Sequence, residues 1–434
     1  MNFSKLALYP FISGILSLTS SCSERAPEIE WQKNFGGSLH EDARYIIQTY
    51  DSGYVVAGYA ASFDRNVVGS HGFNDYWIVK LDSKGNIQSS KTLGGSYFDE
   101  AHSILQTGDH GFIVTGTTYS LDGDVVNNHG AADWWILKLD SQCNQQWQKT
   151  IGTKWIDIGS SMIISDDGGY IFCGGIGLNK DSTEGSSQDQ DAMFVKWDKD
   201  GNEVWEKIFR GSGKDGVSNL ASSGDGGFVA VVSSQSNDGD FNGNHSDNFD
   251  IWLLKFDRAG NLRWKKNFGG AGYDNPSSVI QTQDGGYAIA GTTSSNDAEI
   301  KNNHGLTDFL ILKLDSNGTI QWQRCFGGIL DDNANSIQQT TDGGYIVFGE
   351  TSSVDGDVTG NHGLVDYWVI RLNKKGKLQW QKTLGGSGNE RASGNILLTS
   401  DGGFIIAGES DSKNGDVTGN YGNYDCWIVK LKGN

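Results

Sequence analysis

Short apolar runs separated by clusters of Gly, Asn and Asp make up this chain, and beyond residue 21 no stretch keeps a helical period. In the fullest stretch, from Asp342 onward, four runs are predicted strands: 344–350, 366–372, 377–384 and 393–399. The first three are rich in β-branched and aromatic residues, the last is built of small ones, and turn-forming residues lie between them. The pattern then repeats. An Asp-Gly-Gly-Tyr-type turn begins at Asp51, Asp109, Asp167, Asp225, Asp284, Asp342 and Asp401, at spacings of 58, 58, 58, 59, 58 and 59 residues. Four short strands in each of seven regular units predict an all-β fold, a seven-bladed β-propeller of four-stranded blades. The length alone suggests about three domains. The period overrides this, because repeats that bury their faces on each other form one body.

The last copy stops at Leu431 without its final Trp-Gln-Lys strand. That strand stands alone ahead of the first copy, at Trp31-Gln32-Lys33. We therefore expect residues 31–434 to form the propeller, with the N-terminal strand completing the last blade. Such closure leaves no open sheet edge.

Ahead of the repeats, residues 1–21 have the form of a signal peptide: Lys5, an apolar core from Leu6 to Leu18, then small residues. Leu18-Thr19-Ser20-Ser21-Cys22 resembles the lipobox of bacterial lipoproteins, which implies a lipid on Cys22 and a tether over residues 22–30. The expected location is a bacterial cell envelope, on the outer membrane, with membrane contact through the anchor alone. Cys143, Cys173, Cys325 and Cys426 share no spacing and are read as unpaired thiols. With 53 acidic against 34 basic residues, the net charge of −19 disfavours a nucleic-acid partner. A monomer that binds a glycan or a protein is the expectation.

Most of the conspicuous residues recur with the period, which favours a structural role. Six of the 14 tryptophans share one repeat position (Trp31, Trp147, Trp205, Trp264, Trp322, Trp380) and five another (Trp77, Trp135, Trp252, Trp368, Trp427). Inter-blade packing explains both sets. Tyr97, Trp155, Tyr273 and Tyr421 fall in connections between strands and are the candidate ligand-stacking residues. Tyr421 replaces a repeated histidine, and Ser187 does so in the third copy.

The long loop carries S-x-D-G-D-V-x-x-N-H-G-x-x-D, with clear copies at residues 120–133 and 353–366. Asp122, Asp124 and Asn128, and likewise Asp355, Asp357 and Asn361, offer the oxygen ligands that Ca2+ prefers, although no closing bidentate Glu follows. The competing reading is a self-bonded loop, with Asp and Asn holding backbone N–H groups and each His bonding the Asp four residues on. Ca2+ is the single candidate cofactor. A third recurring set (Glu41, Asp99, Asp157, Asp215, Asp274, Asp332) stands where one unit hands over to the next, as strand-start caps. Paired carboxylates also serve glycosidases, but no unique acid pair stands out. No nucleophile triad, P-loop or dinucleotide fingerprint is present.

The units DGGYIVFGETSS…DGDVTGNHGLVDYWVIRL and GKLQWQKTLGGS resemble the propeller repeats of exported and lipid-anchored proteins of Bacteroidota. Some proteins of that group carry endoglucanase-like or bulb-lectin-like labels, which implies carbohydrate contact. LDSNGTIQWQ, residues 314–323, is similar to the hairpin of quinoprotein-like propellers, without the adjacent cysteine pair found in many of those enzymes. The expected function is a non-enzymatic binding module for glycan or protein. A carbohydrate-active hydrolase with acids on the loop face is the first alternative, and a structural component of envelope assemblies the second.

Overall fold

A computed structural model describes residues 25–178 and 190–433; the expected signal peptide, Cys22 and Ser187 lie outside them. Seven antiparallel sheets form the blades. In the first blade the strands run from the centre outward as Glu41–Gln48, Tyr54–Ala60, Asp75–Leu81 and Ile87–Leu93. The first strands of successive blades pack against one another around a central channel. The two middle strands are buried throughout, as in Phe112–Thr118 and Asp133–Leu139, while the outer strand Gln145–Ile151 is half-exposed. This explains the pattern along the chain: middle strands have neighbouring blades on both faces and read as unbroken apolar runs.

The ring closes as expected. Ile29–Phe35 pairs antiparallel with Asp425–Leu431, from Ile29 against Leu431 to Phe35 against Cys426. Pairing begins two residues before Trp31. Glu28 also holds Lys432 through its main-chain oxygen and its carboxylate, and Ala26 packs on the last blade's core. The innermost strand of the last blade differs from the predicted 393–399. It forms as two pieces, Glu390–Arg391 and Ile396–Leu398, with Ser393 and Gly394 between them. The other six inner strands carry a register shift at the same place, for example between Ala43 and Tyr45. In the last blade that bulge has widened into a gap.

Both tryptophan sets serve packing. Trp77, Trp135, Trp252, Trp368 and Trp427 are buried, with each indole N–H bonded to an oxygen acceptor on a Ser, Gln or Asn side chain. Trp31, Trp147, Trp205, Trp264 and Trp322 of the outer-strand set lie under the hairpin glycine of the following blade, while Trp380 packs on Phe404 of the last blade. A Cβ on Gly376 would stand 2.8 Å from the Trp322 ring, and one on Gly85 2.8 Å from Trp31. The first and second blades depart from this rule together. Ser89 takes the tryptophan position, and the facing glycine is Cys143, buried at φ 62°. The thiol fills volume that an indole fills elsewhere. Burial raises the Cys143 pKa to about 11, against a hydrogen bond from Ser89 that lowers it.

Two measurements check this packing. Deleting residues 23–37 should lower the melting temperature of the whole domain by at least ~5 °C, because an interior sheet edge opens and Trp31 and Phe35 are lost. Ser89→Trp alone should cost about 1–3 kcal/mol by overpacking, and Cys143→Gly in the same chain should restore most of that, as read by chemical denaturation.

Candidate functional site

The long loops and the connections into the inner strands share one face. Ser96 N–H, in such a connection, donates to Asp122 Oδ1 of the next blade's long loop at 2.8 Å, and Gly94 N–H to Asp124 Oδ2 at 3.2 Å. The calcium candidates are thus engaged with backbone: Asp355 with Ile329 N–H and Asp357 with Gly327 N–H. Asn128 and Asn361 each donate to a Ser carbonyl and accept a Gly N–H. Each loop histidine bonds the aspartate ahead of it, as His129 Nδ1 does Asp133 at 2.6 Å. Among the described residues no three His, Cys, Asp or Glu side chains converge as a metal site. The set at the blade hand-over caps strands: Asp99 accepts Gly95 N–H and the hydroxyls of Ser120 and Thr118. Glu390 is its seventh member, accepting Gly386 N–H and the Ser410 hydroxyl.

The channel opens on this face into a cavity of about 700 Å3. Its wall is built by the bulges of the inner strands. A bulge leaves one residue per strand outside the ladder and re-aims its side chain. Here those residues are Arg44, His102, Ser160, Ser218, Ser277 and Asn335, joined by Ser393 from the gap in the last blade, and all seven line the channel. The wall is strongly asymmetric. Small neutral residues come from the bulges of the third to fifth blades, whereas the first, second, sixth and seventh blades bring charged or titratable side chains.

The charged side holds one connected network. Arg44 Nε lies 2.6 Å from an Asp42 oxygen, and its guanidinium sits 5.5 Å from the centre of the Tyr59 ring. The Ser393 hydroxyl donates to the other Asp42 oxygen. His40 Nε2 is 2.5 Å from Glu409 Oε2 and 3.2 Å from the Tyr59 hydroxyl. Arg391 stands 3.9 Å from Glu409 and bonds Tyr424. Glu350 accepts Ala392 N–H at 2.9 Å. Burial pushes the Glu409 and Glu350 carboxyls up; His40 opposes this at Glu409, and the Ala392 N–H at Glu350. Burial also works against charge on His40, but the Glu409 hydrogen bond and the charges of Glu409, Asp42 and Glu41 outweigh it and raise its pKa. The Asp42 charge raises Arg44 further still. The result is a polar pocket with acids and cations arranged for a hydrogen-bonding ligand.

Of the four predicted stacking residues, only Tyr273 lines this cavity. Tyr97 is 52% exposed outside it, Trp155 lies half-buried beside Lys154, and the Arg65 guanidinium lies 4.3 Å from the centre of the Tyr421 ring. The four belong to different blade junctions and are not brought together. Sequence reasoning missed the charged network. Its signal lay in comparing repeat columns: the position of Asp42 holds Glu100, Ile158, Gly216, Asn275, Asn333 and Arg391 in the other units. A column that varies where its neighbours repeat faces the channel.

With this geometry the chain is defined as a seven-bladed β-propeller with its candidate site at the mouth of the channel. No protein-family model matches it, and no curated protein sequence does. It is similar in architecture to solved propellers. The WD40 domain of Neurospora crassa Pan2 aligns over 89% of this chain and 88% of its own, at 10% identity and a TM-score of 0.49. A protein of unknown function from Dyadobacter fermentans aligns over 94% and 100%, at 11% identity and 0.43. A structure described as a putative gluconolactonase aligns over 76% and 87%, at 10% identity and 0.37. Likeness at this level carries no argument about function.

The network makes one pH prediction. Glu409→Gln removes the hydrogen-bonded charge that raises His40, so the His40 imidazole should titrate lower in the variant. An NMR titration of His40 in both proteins checks this, and an unchanged midpoint would show that the two groups are uncoupled.

Proposed function

We propose that this chain is a non-enzymatic binding module whose ligand, a glycan or a segment of protein, seats in the channel mouth on the loop face. The observation that carries this reading is the asymmetry of the wall. A fold repeated seven times places the charged side chains on one side of the mouth only, and packing requires no such difference. The surroundings support it: of the 18 exposed large apolar side chains among the described residues, all but Tyr50, Val204 and Leu262 lie in the loops and connections of this face. Apolar surface gathered on one face is the mark of an interaction site. The pair Phe73 and Phe98, stacked with ring centroids 5.2 Å apart, is part of that rim.

The placement also suits an anchored protein. Ile29 lies against Leu431, whose other neighbour is Phe404, just after the Asp401 turn. The N-terminal strand therefore starts on the face opposite the mouth. A lipid on Cys22, as in the Bacteroidota repeat lipoproteins that the units resemble, would hold the plain face toward the outer membrane and present the mouth outward. A second reading, a carbohydrate-active hydrolase, is favoured by one observation: two carboxyls with raised pKa, the half-buried Glu350 and the buried Glu409, stand in the same cavity as the Asp42–Arg44 ion pair. Acids held in different protonation states are what glycosidic acid–base chemistry requires.

A glycan array and a polysaccharide hydrolysis screen, run with and without Ca2+, separate the readings. Binding should weaken at least ~10-fold in Arg391→Ala, an exposed side chain whose loss leaves melting unchanged. Ligands that bind equally well to this variant and to Glu409→Gln would place the site elsewhere. Turnover of any glucan that Glu409→Gln abolishes would replace the binding module with the hydrolase.

A further inference from the structure

Two buried carboxylates approach one glycine at the junctions between blades, with a loop histidine beside one of them and, among the described residues, no lysine or arginine paired to the Asp250–Asp274 or Asp133–Asp157 couples. Between the fourth and fifth blades a Cβ on Gly269 would lie 2.5 Å from Asp250 Oδ1 and 3.0 Å from Asp274 Oδ2. Asp250 opens the third strand of one blade and Asp274 the inner strand of the next; both are fully buried. Asp250 Oδ2 accepts the main-chain N–H of His245 and contacts its Nδ1, each at 2.7 Å. Asp274 accepts Gly270 N–H and the hydroxyls of Ser295 and Thr293. Asp250 Oδ1 is buried and has no hydrogen-bond partner among the described residues. The arrangement recurs at Asp133 and Asp157 around Gly152, with Asp133 Oδ1 again unpartnered. It recurs once more at Asp308 and Asp332, and at Asp366 and Glu390.

An ionised carboxylate oxygen buried without a donor, next to a second carboxylate, is costly, and such a pair avoids the cost by keeping one proton. The charged groups facing Asp250 and Asp274 are few. His245 faces Glu299 at 3.6 Å on its other nitrogen, and Asp297 is engaged with Ala271 N–H. At the Asp133 junction the facing group is His129. The space is closed to a divalent ion, since Ca2+ takes six to eight oxygens and all the oxygens here except the orphan already hold donors.

We propose that these junctions are proton-binding sites: each pair keeps one carboxyl protonated into the mildly acidic range, and the propeller is thereby tuned to mildly acidic conditions. Burial lifts Asp133, Asp250 and Asp274 above the usual carboxylate range and Asp157 to about 6. A folded pKa above the unfolded one means that the folded state binds more protons. The stabilisation is complete below the unfolded value and is lost as pH rises through the folded one. The turn aspartates act in the opposite sense: Asp167 is held near 2, chiefly by Lys196, so its contribution is lost only on acidification. Stability should therefore peak at about pH 4–5 and decline toward pH 8.

The test is the double variant Asp133→Asn/Asp250→Asn, in which each amide keeps an oxygen for the histidine N–H and turns a donor toward the second carboxylate. The melting temperature of the unaltered protein should fall between pH 5 and pH 8. That of the variant should fall less, and at pH 8 it should exceed the unaltered protein by at least ~2 °C. Parallel curves, or a variant that melts lower at every pH, would overturn the proposal. So would a stoichiometric divalent metal whose removal lowers melting. Should the variant not fold, 13C titration of the unaltered protein decides. Aspartate carboxyls that stay protonated above pH 5 support the proposal, and titration of every carboxyl below pH 4 rules it out.

Discussion

The structure depends on a buried acid at the head of each inner strand. Asp99, Asp274 and Asp332 accept the glycine N–H of the incoming turn with one oxygen and Thr or Ser hydroxyls of their own blade with both, and Glu41 and Asp157 accept main-chain N–H groups at the same place. In one residue this interaction fixes where a blade begins, how the previous blade hands over to it, and which way the long loop turns. Without an acceptor there, buried N–H and hydroxyl groups would lose their partner, at a cost of about 1–3 kcal/mol each. Repeated around the ring, the same constraint gathers the described long loops on one face.

A frame so uniform leaves few places free to vary, and the candidate site occupies them. The bulge in each inner strand withdraws one residue from the ladder, so its identity is not set by strand pairing. Arg44 and His102 occupy that place in two blades, and Ser or Asn in the rest. The residues just ahead of the bulge and across from it vary in the same way, giving Asp42, Arg391, Glu350 and Glu409 on one side of the channel. Two roles are thus divided within a single strand: its first residue caps, and its bulge faces the channel.

The outer rim shows how repeats absorb a local departure. Where the tryptophan of the first blade is replaced by Ser89, the facing glycine has become Cys143, and the volume lost on one blade is returned by its neighbour. Each blade packs mainly on the next, so such an exchange is settled at one junction without disturbing the rest.

Much of this was legible in the chain. The period gave the blade count, Asp366–Leu372 matches its predicted limits, and the displaced Trp31 strand disclosed the ring closure. These features follow from local pattern, since strand burial and turn chemistry are written into adjacent residues. The tertiary structure alone decided the site. Asp42 and Ser393 meet across 351 residues, and Ile46 bonds Asn395 across 349, because closing the ring brings the first blade against the last. Tyr97, Trp155 and Tyr421 drew attention by departing from the period, yet they lie at separate junctions outside the cavity. The residues that converge do so through a bulge geometry that no local pattern of apolar and polar positions records. Sequence sets what each blade is; only the closed circle determines which of its side chains share a pocket.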